Sequence, residues 1–334
     1  MDEALRKDYE DWVNKVQKEL ETNKDEWVER YGEYAKKMVA NSAIFSEAKG
    51  QFNKIKPLYV YLTIGKVKDK ELKFDLRYLG QSVGTIKVKD NIPKLSVDEK
   101  KNNSSIYFGY DLGAIKDEDW SKGPNAKKFR DYYINHATGA PRQEEHMVES
   151  ALFSELEKTT SVNKTLCGIQ PVSFENTRIH MKTALKASAA KHDDVEQSKT
   201  GGEVDILCRR KIGNKSRLVV IEVKDENIKK ESFDAAMKQA ISYAVFISEL
   251  IHSDAGKDWM KIWGMENQIK EKYVIDCVVA MPKGDTEPSY AGEQIEIPGT
   301  GDKLELHYMI LQSDLEEMKS GTVKFEHSFG IKNK

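Results

Sequence analysis

The segment from Leu218 to Lys224 constrains the fold of this chain more than any other. Its four consecutive apolar residues, Leu218 to Ile221, indicate a β-strand that is buried on both faces. The strand ends in Glu222-Val223-Lys224, and side chains two residues apart in a strand lie on the same face. A carboxylate and an ammonium group at the end of a buried strand are costly unless a partner compensates their charges. The segment therefore predicts a central sheet with a polar site at one strand end.

A second carboxylate precedes this strand in the sequence. Asp205 lies in the segment from Gly202 to Cys208, which indicates a strand after a glycine turn. A hairpin through residues 211–215 would place Asp205 beside Glu222 and Lys224. Two carboxylate ligands with room for water and phosphate suit Mg²⁺, with Mn²⁺ as a substitute. A bound cation lowers the pKa of an attacking water, and Lys224 would hold a phosphate oxygen or that water.

The order of the predicted elements indicates an α/β protein with a central mixed sheet. Helices are predicted within residues 1–50, followed over 58–88 by an antiparallel β-meander with one solvent-facing side. Residues 105–112 are a candidate strand and 126–136 a helix. A linker at 137–141 divides the chain into two predicted domains, 1–138 and 142–334. The second domain is predicted to contain helices over 144–158 and 233–251, and strands over 167–174, 204–208, 218–223, 273–280 and 304–311.

Composition narrows the class of protein. Of the 334 residues, 53 are Lys or Arg and 55 are Asp or Glu, so the formal net charge is -2. This balance argues against a uniformly basic protein but allows a local basic groove. The three cysteines form no CxxC pair, which is typical of free thiols in a reducing compartment. Because the N-terminus is charged and no apolar run approaches roughly 20 residues, we expect a cytoplasmic protein without membrane contact.

Two stretches resemble the PD-(D/E)xK nuclease superfamily, namely Gly202 to Leu207 and Val220 to Lys224. The resemblance covers roughly residues 142–312. It implies a restriction-endonuclease-like mixed β-sheet core flanked by helices, to which the N-terminal helical and β-meander region is an addition. It also implies that Asp205 and Glu222 bind the metal and that Lys224 is catalytic. Glu203-Val204 precedes Asp205 where the family name has a proline, but many members lack that proline.

The resemblance also implies roles for two helices. Family members often carry a glutamate on the helix before the sheet, and four residues compete for that place here: Glu144, Glu145, Glu149 and Glu155. We expect Glu149, at the edge of the predicted buried stripe, to act at the metal, with Glu145 as second choice. Gln239 and Tyr243 lie four residues apart and resemble the QxxxY feature of the exonuclease-like branch. They are equally consistent with a helix edge and a core aromatic residue.

The segment 182–199, rich in Lys, Ala and Ser, is a candidate DNA-contacting loop. Its candidate phosphate contacts are Lys182, Lys186, Lys191 and Lys199. A solvated loop without a role in binding is an equally good interpretation.

These residues predict a Mg²⁺-dependent nuclease that hydrolyses DNA, with double-stranded DNA as the expected substrate and a restriction- or repair-type endonuclease as the expected kind. Cutting both strands of a duplex would favour a homodimer. The alternatives are a nuclease-fold module that binds nucleic acid or a partner protein without cutting, and an unrelated α/β protein with an incidental match. Uptake of Mg²⁺ or Mn²⁺ separates the nuclease from the binding module.

Overall fold

A computed structural model describes most of the chain. The described residues are 1–40, 42, 58–63, 72–89, 92–98, 108–141, 143–158, 166–175, 177–187, 195–197, 202–225, 232–283 and 288–330. Within them lie seven α-helices: α1 (Glu3–Glu21), α2 (Lys24–Ala40), α3 (Pro124–Asn135), α4 (Glu144–Glu157), α5 (Phe233–His252), α6 (Gly256–Ile262) and α7 (Leu315–Lys319). No helix of these ranges combines the length and the apolar character needed to cross a membrane.

The first sheet has eight strands: β1 (Leu58–Thr63), β2 (Leu72–Tyr78), β3 (Gln81–Lys89), β4 (Ile92–Val97), β5 (Ile115–Asp119), β7 (Ser173–Phe174), β8 (Thr177–Lys182) and β11 (Glu203–Val204). Their order is β11-β8-β1-β2-β3-β4-β5, with β7 paired to β8. The strands β1 to β3 form the antiparallel meander expected from the sequence over 58–88, and β4 and β5 extend it, whereas β1 and β8 run parallel, with Tyr61 opposite Arg178. The meander thus continues into strands from the second half of the chain.

The second sheet has seven strands: β6 (Ile169–Pro171), β12 (Ile206–Ile212), β13 (Lys215–Val223), β14 (Val274–Pro282), β15 (Gln294–Glu296), β16 (Lys303–Leu311) and β17 (Phe325–His327). Their order is β15-β16-β14-β13-β12-β6, with β17 paired to β16. Strands β13, β14 and β16 are parallel, while β12 and β13 form the predicted hairpin. A separate pair joins β9 (Leu185–Ala187) and β10 (Val195–Gln197).

Helices cover both faces of the second sheet. On one face, Leu218 and Val220 of β13 share a hydrophobic cluster with α5, which is buried along almost its whole length. On the other face, Val219 and Ile221 pack in a second cluster with Leu152 of α4. Because both faces are covered, the apolar run of β13 has the burial that its sequence predicts.

The two N-terminal helices pack against this core. α1 begins after Asp2, whose carboxylate accepts a hydrogen bond from the Leu5 N–H, and it buries one apolar stripe. The indole N–H of Trp12 on α1 donates to Ser242 Oγ of α5 at 3.0 Å. The two predicted domains, 1–138 and 142–334, therefore share a sheet and a hydrophobic cluster, and the division between them stays a prediction.

The structure confirms the predicted α/β class with mixed sheets, and it differs from the sequence-based expectations at three places. The predicted strand 167–174 is divided into a 3₁₀-helix at Leu166–Gly168 and the short strands β6 and β7, which belong to different sheets. Within the candidate strand 105–112, residues 108–112 form turns, with left-handed backbone at Phe108 (φ 62°) and Gly109 (φ 77°). The predicted strand 204–208 is interrupted at Asp205, because β11 pairs with β8 of the first sheet and β12 pairs with β13 of the second. A restriction-endonuclease-like identity for the core remains a prediction.

Candidate active site

Asp205 lies where the chain passes from one sheet to the other. It is the single residue between β11 and β12, and it belongs to neither strand. Its Oδ2 accepts a hydrogen bond from the backbone N–H of Val223 at 2.7 Å, so the end of β13 fixes the carboxylate. The hairpin register, with Ile206 opposite Ile221, brings Asp205 alongside Glu222 as the sequence predicts.

Glu222 and Lys224 project together from the end of β13. The Glu222 side chain is only 1% exposed, and Lys224 Nζ lies 2.7 Å from its Oε1. The backbone N–H of Lys224 donates to the carbonyl of Ala280 in β14 at 2.8 Å, which continues the parallel pairing beyond the strand. The predicted sharing of one face by these two side chains is therefore confirmed.

A third carboxylate completes the cluster. Glu145, in the first turn of α4, lies 2.9 Å from Lys224 Nζ through its Oε1. One oxygen from each of Glu145, Asp205 and Glu222 lies within 4.8 Å of the other two, a grouping that can hold a metal ion. With these three carboxylates ionised and Lys224 protonated, the cluster carries two net negative charges, which one divalent cation would neutralise. Hard oxygen donors of this kind suit Mg²⁺ and Mn²⁺.

The electrostatics of the cluster follow from its crowding. Loss of hydration, then the negative charges of Glu222, Glu149 and Glu145, raise the pKa of Asp205 well above its ordinary value, against the opposing charge of Lys224. Burial lowers the pKa of Lys224, but Glu222, Asp205 and Glu145 outweigh it, so that pKa is raised. Lys224 is thus held as an ammonium group, and its single positive charge is shared by the carboxylates of Glu222, Asp205 and Glu145.

Glu149, the expected ligand, lies one helical turn beyond Glu145 and is buried. Its Oε1 is 3.6 Å from Arg77 Nη1 of β2, and its Oε2 is 3.6 Å from His146 Nδ1. Glu145, the second choice, supplies the oxygen within the cluster, whereas Glu149 acts on Asp205 through its charge. A role for Glu149 at the metal stays a prediction.

Gln239 and Tyr243 share a face of α5 that points toward the cluster. Gln239 Nε2 is 3.4 Å from the Tyr243 hydroxyl, which lies 3.5 Å from the carbonyl of Ala187. Burial, followed by the charges of Glu222 and Asp205, raises the pKa of Tyr243. Tyr243 therefore keeps its proton beside the carboxylates, and its hydroxyl adds no negative charge to the cluster.

The predicted DNA-contacting lysines differ in their surroundings. Lys182, at the end of β8, is partly exposed and pairs with Glu203 at 2.9 Å. Lys186 on β9 is exposed. Lys191 and Lys199 lie outside the described residues. A role of these lysines in binding phosphate stays a prediction.

A buried polar row, formed by Arg77 and His180, lies beside the cluster and was not predicted from the sequence. Alternation in β2 predicted that Arg77 faces solvent, but α4 covers this side of the meander and Arg77 is only 7% exposed. His180 of β8 lies 3.1 Å from Arg77 Nη2 and 2.6 Å from Glu203 Oε2. The period-two pattern does not reveal this row, because it cannot say which element covers a polar face.

A second acidic group lies on β14 and β16 and was also missed. Asp276, Glu305 and His307 each place a ligand atom within 4.8 Å of the others. Arg210 Nε is 2.8 Å from Asp276, and Arg217 Nη1 is 2.9 Å from Glu305, so arginines already neutralise these carboxylates. The sequence signal was a charged residue inside the apolar run of 275–280, the same signal that Glu222 provides. We interpret this group as a structural ion-pair network.

Comparison with known proteins gives no further guide. No protein-family model matches the chain, and neither a curated protein nor a solved structure is significantly similar to it.

Proposed function

We propose that this protein is a metal-dependent nuclease that hydrolyses phosphodiester bonds in DNA. The observation that supports it most is the convergence of Glu145, Asp205 and Glu222 within 4.8 Å, with the Lys224 ammonium group 2.7 Å and 2.9 Å from two of them. Three carboxylates that crowd each other are unfavourable in a folded protein unless they bind a cation. Mg²⁺ fits this oxygen donor set, and Mn²⁺ is its substitute.

Each residue has a defined task in the proposed reaction. Glu145, Asp205 and Glu222 would hold the cation, which when bound supplies a more acidic water and offsets charge on the phosphate. Lys224 would donate hydrogen bonds to a non-bridging phosphate oxygen and stabilise the negative charge that develops there. Tyr243, kept neutral, would present a hydroxyl donor at the edge of the same site.

The test is cleavage of circular and linear DNA, each single- and double-stranded, with Mg²⁺ or Mn²⁺. We expect the wild-type protein to cut at least one of these substrates, and cutting of circular DNA would identify an endonuclease. Lys224→Ala and Asp205→Ala should each reduce the rate by at least about a hundredfold, the order of magnitude for a group that stabilises transition-state charge. Circular dichroism should show that both variants remain folded.

Lys215→Ala provides the matched control, because Lys215 lies at the opposite, exposed end of the same strand β13. It should cut at the wild-type rate. Undiminished cleavage by folded Lys224→Ala and Asp205→Ala proteins would contradict the proposed site, and absence of cleavage by the wild type on every substrate would contradict the proposed reaction.

A further inference from the structure

Arg77 of the meander contacts α4, the helix that supplies Glu145 to the proposed metal site. It is buried, and its guanidinium group contacts three elements at once. Nε lies 2.7 Å from Asp75 of its own strand, Nη2 lies 3.1 Å from His180 of β8, and Nη1 lies 3.6 Å from Glu149 of α4. The ring of Tyr61 lies beneath it, 4.7 Å from the guanidinium carbon. Such a planar, permanently charged fork can fix several partners together, which a lysine cannot do equally well.

The pair formed by Arg77 and Glu149 is incomplete in one respect. Arg77 Nη1 and Glu149 Oε1 are both buried, and within the described ranges neither atom has a hydrogen-bond partner. Their separation of 3.6 Å exceeds the length of a good hydrogen bond. Buried polar atoms without partners are uncommon in folded proteins and require an explanation. A carboxylate oxygen kept available beside a cation site is such an explanation.

The position of Glu149 on its helix supports this interpretation. Residues four apart lie on the same side of a helix, so Glu149 neighbours Glu145, whose carboxylate belongs to the cluster. The meander also fixes the backbone of this helix turn. A Cβ atom at Gly80, in the turn between β2 and β3, would lie 1.9 Å from the carbonyl oxygen of His146. The β2–β3 turn therefore packs directly on the helix turn that carries both glutamates.

We propose that Arg77 is a positioning residue of the active site: it holds the Glu149 carboxylate aligned to accept a hydrogen bond from water bound to the cation. The inference rests on the proposed function, and it assigns part of the active site to the N-terminal meander. Without Arg77, Glu149 would be a buried carboxylate next to three others and without its arginine partner, so its side chain would turn away from the position that faces the cluster.

Arg178 provides a matched control on the same sheet. It is also buried, it pairs with Glu157 of the same helix α4, and it lies between the rings of Tyr59 and Phe153. Its carboxylate partner is two helical turns beyond Glu149, away from the cluster. Replacing Arg178 therefore removes another buried arginine and its contact with a glutamate of α4, without touching Glu149.

The experiment measures Mn²⁺ binding to the full chain by calorimetry, independently of cleavage. Arg77→Met should weaken Mn²⁺ binding about ten- to a hundredfold, the range for residues that orient metal ligands from outside the coordination sphere. Arg77→Lys, which keeps the charge but loses the planar fork, should restore only part of the affinity, and Arg178→Met should change it less than about twofold. Equal Mn²⁺ affinity of folded Arg77→Met and wild type would overturn the proposal.

A double-mutant cycle identifies the route of the effect. If Arg77 acts through Glu149, then adding Arg77→Met to a Glu149→Gln protein should cause no further loss of Mn²⁺ affinity. This double variant removes both buried charges, so it also serves where Arg77→Met alone fails to fold. A further tenfold loss in the double variant would contradict the proposal. A wild-type protein that takes up no Mn²⁺ would overturn the proposed function and this inference together, whereas Mn²⁺ uptake unaffected by Arg77 overturns the inference alone.

Discussion

At the scale of single residues, the candidate site concentrates unfavourable charge in a small volume. Glu145, Asp205 and Glu222 share one ammonium group, and the pKa of Asp205 is raised as a result. Such crowding lowers the stability of the folded protein unless a ligand compensates it. The same carboxylates that fit a divalent cation should therefore be a weak point of the metal-free protein.

This argument predicts how Asp205→Asn changes stability. In EDTA the variant should be at least as stable as the wild type, because it removes one of the mutually repelling charges. Mn²⁺ at a hundred times its Kd should add about 2.7 kcal/mol to the free energy of unfolding of the wild type and much less to that of the variant. Urea unfolding with and without Mn²⁺ measures both effects, with the exposed Asp111→Asn as control. Equal stabilisation of both proteins by Mn²⁺ would remove Asp205 from the ligands.

At the scale of elements, the close packing of Gly202, directly before β11, explains how Asp205 reaches its place. Gly202 donates its N–H to the carbonyl of Leu185 and accepts from the N–H of Thr183, which ties this point of the chain to the start of β9 and the residue after β8. A Cβ atom at Gly202 would lie 2.6 Å from the Leu185 carbonyl oxygen and 2.8 Å from the Tyr243 hydroxyl. Only glycine allows the chain to pass this close, three residues before Asp205.

Gly202→Ala should therefore destabilise the protein by about 1–3 kcal/mol through overpacking, and it should also weaken Mn²⁺ binding because the short strand β11, which leads into Asp205, must move. Gly32→Ala is the matched control. A Cβ atom there meets only Ala255 Cβ at 3.9 Å, and within helix α2 alanine is favoured over glycine by roughly 0.5–1 kcal/mol. The unfolding temperature should therefore fall for Gly202→Ala and rise for Gly32→Ala. An unchanged unfolding temperature of Gly202→Ala would contradict the packing argument.

Individual elements show how far the sequence could predict this fold. The apolar run of β13 and the hairpin to β12 were predictable, because strand burial and the pairing of neighbouring strands depend on residues that are close in sequence. The parallel pairing of β1 with β8 was not, since it joins residues about a hundred positions apart and leaves no periodic signal. The choice between Glu145 and Glu149 was equally hidden. Both lie on one face of α4, and they differ in partners that the sequence does not reveal, because Arg77 lies beside Glu149 and Lys224 beside Glu145.

At the scale of the whole molecule, the ion-pair network on β14 and β16 contributes a pH-dependent part of the stability. Hydrogen bonds from His307 and Gln294 and the charge of Arg217 lower the pKa of Glu305 to about 2, against the opposing effect of burial. Because this folded-state pKa is below the unfolded one, ionised Glu305 stabilises the fold above pH ~4.5. That stabilisation is lost as the pH falls from there towards about 2.

Glu305→Gln should accordingly reduce the free energy of unfolding by about 2 kcal/mol at neutral pH, after allowance for the partial exposure of the side chain. The difference from the wild type should shrink as the pH is lowered below 4.5. Urea unfolding over a series of pH values measures it, and the exposed Glu296→Gln on β15 should show no such trend. A difference that stays constant with pH would mean that the Glu305 charge does not carry the effect.

The parallel pairing of β1 with β8 also has a consequence for the order in which the protein becomes active. Strands that meet across a long stretch of chain must close a large loop first, and such contacts form slowly. Lys224 needs the still later strand β14, whose Ala280 carbonyl holds its backbone. A chain emerging from the ribosome therefore cannot assemble Glu145, Asp205 and Lys224 until β14 has also been synthesised. For the nuclease proposed above, the order of synthesis would thus keep an unfinished copy of the chain inactive.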